Sequence, residues 1–152
     1  MVVERHGKNG NIGYGILTGS CLKKGTVATT YFHDHHNLFV AGSSPDDMLF
    51  AVNRIRELQG GFLTVKDGRI LLSLHFRYVG FYSEKSIREN GLALKAVRKS
   101  LTDLGYVHNN PIMSVGTLGL PVSPALKLTD KGLVDVKKGE IVPLIVSTKK
   151  NK

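Results

Sequence analysis

The sequence predicts a single domain of the α/β class (α+β mixed), in which a mixed β-sheet of about six to eight strands packs against two or more helices. Short runs of β-branched and aromatic residues recur along the chain, and two longer stretches carry apolar residues at helical spacing. The pair Asp67-Gly68 separates apolar runs at 62–65 and 70–74, as in a β-hairpin. With 152 residues and 41% hydrophobic content, the chain is large enough for a core of its own.

The first predicted elements are three strands. Apolar residues alternate with glycine over residues 12–16, which predicts a strand whose glycine face lies close against another element. Residues 26–32 are rich in β-branched and aromatic types, and residues 38–41 form an apolar run typical of a buried strand. The polar segment 33–37 therefore joins or interrupts two core strands.

A helix is predicted directly after these strands. Residues 44–47 combine a hydroxyl cap, a proline at the first helical position and acids in the first turn. Met48, Val52 and Ile55 have the spacing of its buried stripe, and the glycine pair 60–61 ends it.

The second half of the chain begins with the predicted hairpin and continues with another helix. Apolar residues recur at helical spacing over residues 83–104, and Gly105 ends this helix. Beyond Pro111, short apolar pieces are broken by prolines, and residues 128–132 read as a turn.

The chain is strongly basic. Twenty-one Lys and Arg against twelve Asp and Glu give a formal net charge of +9 and a pI near 9.8, which suits nucleic acid, anionic ligands or an acidic partner domain. Several of these charges crowd the last sixteen residues, and we expect residues 147–152 to be a basic tail after a domain at 1–146. The charge is therefore weak evidence for nucleic acid, which we do not expect as a partner.

Cysteine content and hydropathy bear on the compartment. Cys21 is the only cysteine, so no internal disulfide can form, and no apolar stretch is long enough to span a bilayer. The first residues also lack the basic-then-apolar pattern of a signal peptide. We expect a cytoplasmic protein without a membrane partner.

The most distinctive local feature is the segment His33-Asp34-His35-His36-Asn37. If the preceding strand continued through it, His33 and His35 would project together about 6–7 Å apart, and Asp34 and His36 would point the other way. This spacing suits metal binding, proton transfer or ligand hydrogen bonding. Because a zinc site needs three or four ligands and the segment offers two per face, we assign no metal to it and favour a polar active-site or interface loop.

A series of short motifs follows in order along almost the whole chain. They are Glu4-Arg5-His6-Gly7, the Gly13 and Gly15 strand, Leu22-Lys23-Lys24-Gly25, the His33-Asp34 and His36-Asn37 pairs, Asp47-Met48 with Ala51-Val52-Asn53, Gly60-Gly61, and residues 126–135. Together they resemble the C-terminal domain of bacterial and archaeal adenine deaminases, in the amidohydrolase superfamily. The chain looks like a divergent member of that family.

The resemblance implies a piece of an enzyme that hydrolyses adenine to hypoxanthine and ammonia with a metal-activated water. It places the ligands of manganese or iron in a (β/α)₈ barrel, which takes roughly 250 residues and does not fit in this chain. We therefore expect no cofactor in this chain and no activity from it alone. The expected partners are an amidohydrolase barrel domain, in the same or a separate chain, a purine substrate and a second copy in a homo-oligomer.

The resemblance also implies supporting roles beside purine or a metal-bound water. His33 and His36 would exchange protons or hydrogen bonds, Asp34 would fix an imidazole tautomer, and Asn37 would orient a partner through its amide.

Other residues fall at the junction with the barrel or the substrate under the same resemblance. Glu4, Arg5 and His6 lie near that junction, where an Arg-Glu pair can be structural or functional. His35 stands where the family usually has serine, so the sequence leaves the identity of the substrate open. It also leaves open whether the His35 ring creates a metal site. Residues 74–83 also depart from the family pattern, and their Arg77 and aromatic residues either line a different ligand pocket or cover a different barrel surface.

Two function classes follow. The first is the C-terminal domain of an adenine-deaminase-like hydrolase, excised from a longer chain or separately encoded, and the structured start favours excision. The alternative is a stand-alone purine- or nucleic-acid-binding or regulatory module that has lost the chemistry. Salt-sensitive binding to RNA or DNA would support the nucleic-acid version.

Overall fold

A computed structural model describes residues 1–19 and 21–146. These residues form two antiparallel sheets, of six and three strands, with three α-helices. The predicted α/β class, with strands packed against helices, is confirmed. The predicted basic tail at 147–152 lies outside the described residues, so the domain boundary at 146 stays a prediction.

The elements follow one another along the described residues with short connections. They are β1 (Val2–Val3), β2 (Ile12–Gly13), β3 (Thr26–Thr29), β4 (Leu38–Gly42), α1 (Pro45–Leu58), β5 (Gly61–Lys66), β6 (Arg69–His75), α2 (Ile87–Asp103), α3 (Pro111–Gly116), a 3₁₀ turn (Thr117–Gly119), β7 (Leu126–Thr129), β8 (Gly132–Asp135) and β9 (Glu140–Val142).

The larger sheet has the strand order β2-β1-β4-β3-β5-β6, and the smaller one is β7-β8-β9. We predicted a mixed sheet, whereas every strand pair here is antiparallel. Strands β4 and β5 do run in the same direction, joined by α1. They lie on opposite sides of β3, however, so this helical connection creates no parallel pair.

The core occupies both faces of the larger sheet because side chains of its central strands alternate between them. One face packs on α1, and the other packs on α2 and α3. The α1 side contains Ala28, Leu38, Val40, Ala51, Ile55, Leu63 and Val65. The opposite side includes Val27, Phe39, Phe62, Leu74, Val97, Leu101, Ile112 and Val115.

Helix α1 begins where the sequence predicts. The Ser44 hydroxyl accepts a hydrogen bond from the backbone N–H of Asp47 at 3.3 Å, and proline occupies the first turn. Its buried stripe consists of Asp47, Ala51 and Ile55, while Met48 and Val52 are half-buried beside it. The stripe is rotated because the Asp47 carboxylate accepts two backbone N–H bonds in the β5–β6 turn, from Asp67 at 3.0 Å and Gly68 at 2.8 Å.

The later helices differ from the predictions. Helix α2 begins at Ile87, because Ser86 and Glu89 form a capping box there. Ile87 and Leu94 are exposed although they have core spacing. Helix α3 follows the Asn110 cap, where we predicted only short apolar pieces broken by prolines. Within the described residues, none of the helices has both the length and the apolar character needed to cross a membrane.

Candidate functional site

The predicted polar segment forms a tight turn between β3 and β4, at one end of the larger sheet. The strand ends at Thr29, so the face-alternation prediction for His33 and His35 is wrong. The backbone N–H of His36 instead donates to the Phe32 carbonyl at 2.8 Å and closes the turn. As a result the rings of His33 and His36 come together, with centroids 5.6 Å apart.

Glu4 organises the loop that follows β1. Its buried carboxylate accepts backbone N–H bonds from His6 and from Lys8, Asn9 and Gly10, the last three at 3.0, 3.3 and 3.2 Å. Burial alone would raise the pKa of Glu4, but these backbone donors together lower it below its usual value. The negative charge of Glu4 thus stabilises its own loop by binding these backbone N–H groups.

Arg5 joins two separate loops through their carbonyls. Its Nε donates to the His36 carbonyl and its Nη2 donates to the Val79 carbonyl, both at 2.6 Å. Both acceptor residues have left-handed backbone, with φ of +48° and +46°. Burial lowers the pKa of Arg5, although the guanidinium remains charged at neutral pH. Arg5 therefore holds the histidine turn against residues 76–83.

His6 and His35 also bond within the domain. The Nε2 of His6 lies 2.8 Å from the His35 carbonyl, which can only accept, so this nitrogen carries the hydrogen. The His35 Nδ1 accepts from the backbone N–H of Asn37 at 3.2 Å. The His35 Nε2 is buried without a hydrogen-bond partner. Burial lowers the pKa of His35, and the negative charge of Asp130 partly offsets this by raising it.

Asn37 connects the two sheets. Its side chain is buried, its Oδ1 accepts from the Arg5 backbone N–H at 3.3 Å, and its Nδ2 donates to Asp130 Oδ1 at 3.1 Å. Because Asp130 lies in the β7–β8 turn, this amide fixes the smaller sheet against the histidine turn. The described contacts of Asn37 are structural.

The remaining three predicted residues present polar atoms to the surface. Asp34 is exposed, and its carboxylate lies 3.8 Å from His33 Nδ1. The His36 Nδ1 lies 3.3 Å from the Thr30 carbonyl, which leaves Nε2 available. Burial is the main reason that the pKa of His36 is lowered, so its ring is neutral at pH 7. His33, Asp34 and His36 form the cluster that we call the histidine patch.

The histidine patch lies partly at the surface, because Asp34 is exposed while His33 and His36 are half-buried. A cavity of about 680 Å³ lies between the two sheets, lined mainly by apolar residues, and one of about 290 Å³ lies beside α1. Neither is lined by a residue of the patch. Its polar atoms can therefore serve a ligand that is also held by another protein surface.

The side chains that could donate to a metal are few in this region. Residues 1–19 and 21–146 contain no group of three or more His, Cys, Asp or Glu side chains that could hold a metal ion. The patch itself offers two imidazoles and one exposed carboxylate, and His36 already uses Nδ1 within the domain. The donor set does not fit a metal centre, so we derive no step through a metal in this domain.

Sequence reasoning missed the residues that hold the patch. Phe81 stacks on the His36 ring, with centroids 3.8 Å apart and planes at 11°. Its segment is fixed by Arg5 and by the Thr30 hydroxyl, which donates to the Gly80 carbonyl. The aromatic residues at 74–83 depart from the family pattern, and this departure is the signal in the sequence that points to them. Of these, Tyr78 and Tyr82 are exposed.

The fold and the patch define a small α+β domain that presents a histidine-bearing turn at the surface. The family model described as adenine deaminase C-terminal domain matches residues 1–140. The chain is 49% identical over 143 residues to an adenine deaminase of Clostridium perfringens, covering 94% of this chain and 25% of that protein. It is 47% identical over 146 residues to an adenine deaminase 2 of Shouchella clausii (96% and 26%) and 44% over 141 residues to an adenine deaminase of Brucella abortus (93% and 24%).

The chain therefore belongs to the adenine deaminase C-terminal domain family. It spans about a quarter of the length of the curated relatives it matches. The resemblance inferred from the motifs is confirmed.

Proposed function

We propose that this chain is the C-terminal domain of an adenine-deaminase-like hydrolase that converts adenine and water to hypoxanthine and ammonia. The observation that carries this proposal is the match itself. The same family spans 1–140 here, and proteins named adenine deaminase contain this region as a quarter of their length. Three quarters of each such protein remain for a catalytic barrel, which we propose as the partner of this domain in the same or a separate chain.

The histidine patch is the part of this domain that we assign to the reaction. His33, Asp34 and His36 place polar atoms at the surface, where a barrel mouth can cover them. A neutral His36 ring can accept a hydrogen bond from purine or from a water, and His33 and Asp34 can relay a proton beside it. Asn37 stabilises the turn that carries the patch, through the hydrogen bonds of its side-chain amide to Arg5 and Asp130.

Manganese or iron belongs to the barrel in this proposal, because the donors described above do not form a centre in this domain. When bound there, the metal lowers the pKa of a coordinated water toward neutrality. The contribution of this chain is to orient the groups around that water and the purine.

Glu4, Arg5, His6 and His35 form the support of the patch. Their described bonds are internal, and we propose that they fix the shape of the surface that meets the barrel. Cytoplasmic location and a homo-oligomeric enzyme complete the proposal.

A reconstitution assay tests this function. The remaining three quarters of the Clostridium perfringens relative are produced separately, loaded with manganese and mixed with this chain, and adenine conversion to hypoxanthine is followed. We expect turnover by the mixture and none by this chain alone. His36→Ala should reduce the rate of the mixture by about 100-fold, as expected for loss of an acid–base or hydrogen-bonding group. The matched control is His75→Ala on the exposed side of β6, which should leave the rate unchanged.

Activity of this chain alone would contradict the assignment of the metal to the barrel. If the mixture associates but is no faster than the remainder by itself, the domain does not serve the reaction. Salt-sensitive binding of RNA by the chain would then favour the binding-module alternative.

A further inference from the structure

The hydrogen on the His36 ring is fixed by its surroundings. Its Nδ1 lies 3.3 Å from the carbonyl oxygen of Thr30. A carbonyl oxygen only accepts hydrogen bonds, so Nδ1 must be the protonated nitrogen and the neutral ring carries its lone pair on Nε2. His36 therefore presents an acceptor to the surface.

The plane of the ring is fixed as well. Phe81 lies parallel to it, at 3.8 Å between centroids. Stacking of this kind prevents the ring from rotating about its Cβ–Cγ bond without losing the contact. Because the Thr30 carbonyl constrains one nitrogen and Phe81 constrains the ring face, the direction of the Nε2 lone pair is determined.

The segment that carries Phe81 is itself held rigidly. Arg5 donates to the Val79 carbonyl, and a Cβ added at Gly80 would lie 2.7 Å from Arg5 Nη2. The Gly60 backbone also lies against this segment, since a Cβ added at Gly60 would come within 2.4 Å of the Gly80 Cα. These contacts hold the backbone next to Phe81 beside the histidine turn.

We propose that Phe81 is a positioning residue that holds His36 as a hydrogen-bond acceptor at Nε2, for an N–H or O–H donor bound at the junction with the barrel. This inference rests on the proposed function and specifies how the patch acts within it. The donor is either the amino group of the purine or the attacking water. The other titratable and charged groups that act on or are affected by the ring are His33, Arg5, Asp34 and His35.

The first test uses the whole 152-residue chain and needs no activity. Long-range ¹H–¹⁵N NMR spectra distinguish the protonated from the unprotonated nitrogen of each histidine ring. We expect protonated Nδ1 and unprotonated Nε2 for His36, and the same pattern in Phe81→Tyr, which keeps the stacked ring. Phe81→Leu should give a mixture of both tautomers, with an unchanged pattern for His75. A protonated Nε2 in the unaltered chain, or no effect of Phe81→Leu, would overturn the proposal.

The second test uses the reconstituted mixture. Phe81→Leu should lower kcat/KM for adenine by about tenfold, and Phe81→Tyr should restore it. A change mainly in KM identifies the purine amino group as the donor, and a change mainly in kcat identifies the water. Because exposure removes the burial that lowers the pKa of His36, the acid limb of the pH profile should also move to higher pH in Phe81→Leu.

The two tests separate the two claims. An active mixture whose kcat/KM is insensitive to Phe81→Leu overturns the positioning role and leaves the proposed function in place. A mixture that associates but is inactive overturns the proposed function, and the NMR spectra then decide the tautomer independently.

Discussion

Replacing Asn37 with alanine should destabilise the whole domain, because this amide links the two sheets. The substitution removes the hydrogen bond to the Asp130 carboxylate and the one from the Arg5 backbone N–H, at 3.1 and 3.3 Å. A bond to a charged group contributes about 1.5–3 kcal/mol and a neutral one about 1 kcal/mol. Asn37 is buried, but Asp130 and Arg5 are only half-buried, so water can replace part of each bond, and we expect Asn37→Ala to lower the free energy of unfolding by about 1–3 kcal/mol.

Urea unfolding followed by far-ultraviolet circular dichroism measures this loss. Asn53→Ala is the matched control, because Asn53 is exposed on helix α1, and it should change stability by no more than about 0.5 kcal/mol. A double-mutant cycle of Asn37→Ala with Asp130→Ala should give a coupling of about 1 kcal/mol or more. If Asn37→Ala unfolds at the same urea concentration as the unaltered chain, the inferred link between the sheets is wrong.

Three further predictions concern the support of the site. Asp47→Ala should lower the free energy of unfolding by roughly 2–4 kcal/mol, because two backbone N–H groups lose their acceptor. In the same urea assay, the control Asp46→Ala at the exposed neighbouring residue should change it by less than about 1 kcal/mol. Gly60→Ala should cost at least about 2 kcal/mol, because φ is +135° and the new methyl group meets the facing loop; equal midpoints in thermal unfolding would contradict the close approach. Burial lowers the pKa of both His35 and His36, so near pH 6 the unfolded chain binds more protons than the folded one, and the Tm should fall from about pH 7.5 to about pH 5.5. His35→Ser should flatten that dependence, and an unchanged slope would refute the assignment.

Local chemistry allowed several elements to be predicted correctly. The Asp67-Gly68 turn and the Ser44 cap depend on residues adjacent in sequence, and both are found in the structure. Helix α3 was missed because its cap and proline resemble an ordinary turn, and its stability comes from packing against α2 that no local pattern reveals. The exposed Ile87 shows the converse, since helical spacing does not say which apolar residues the rest of the fold covers.

The candidate site was predicted in composition but not in geometry. The histidine turn depends on where β3 ends and on the hydrogen bonds of Arg5. These bonds reach His36 and Val79, which are separated from Arg5 by 31 and 74 positions in the sequence. The stacking of Phe81 on His36 likewise brings distant segments together. Contacts over such separations leave no periodic signal in a single sequence.

A chimaera tests whether this domain serves the reaction. The matched quarter of the Clostridium perfringens relative is replaced by this chain, and adenine conversion is measured with manganese, beside the same relative lacking that quarter. Our account predicts that the chimaera turns over within about tenfold of the relative and that the truncated protein has at most about 1% of its rate. A truncated protein as active as the chimaera, both folded and loaded with metal, would contradict a role of this domain in the reaction.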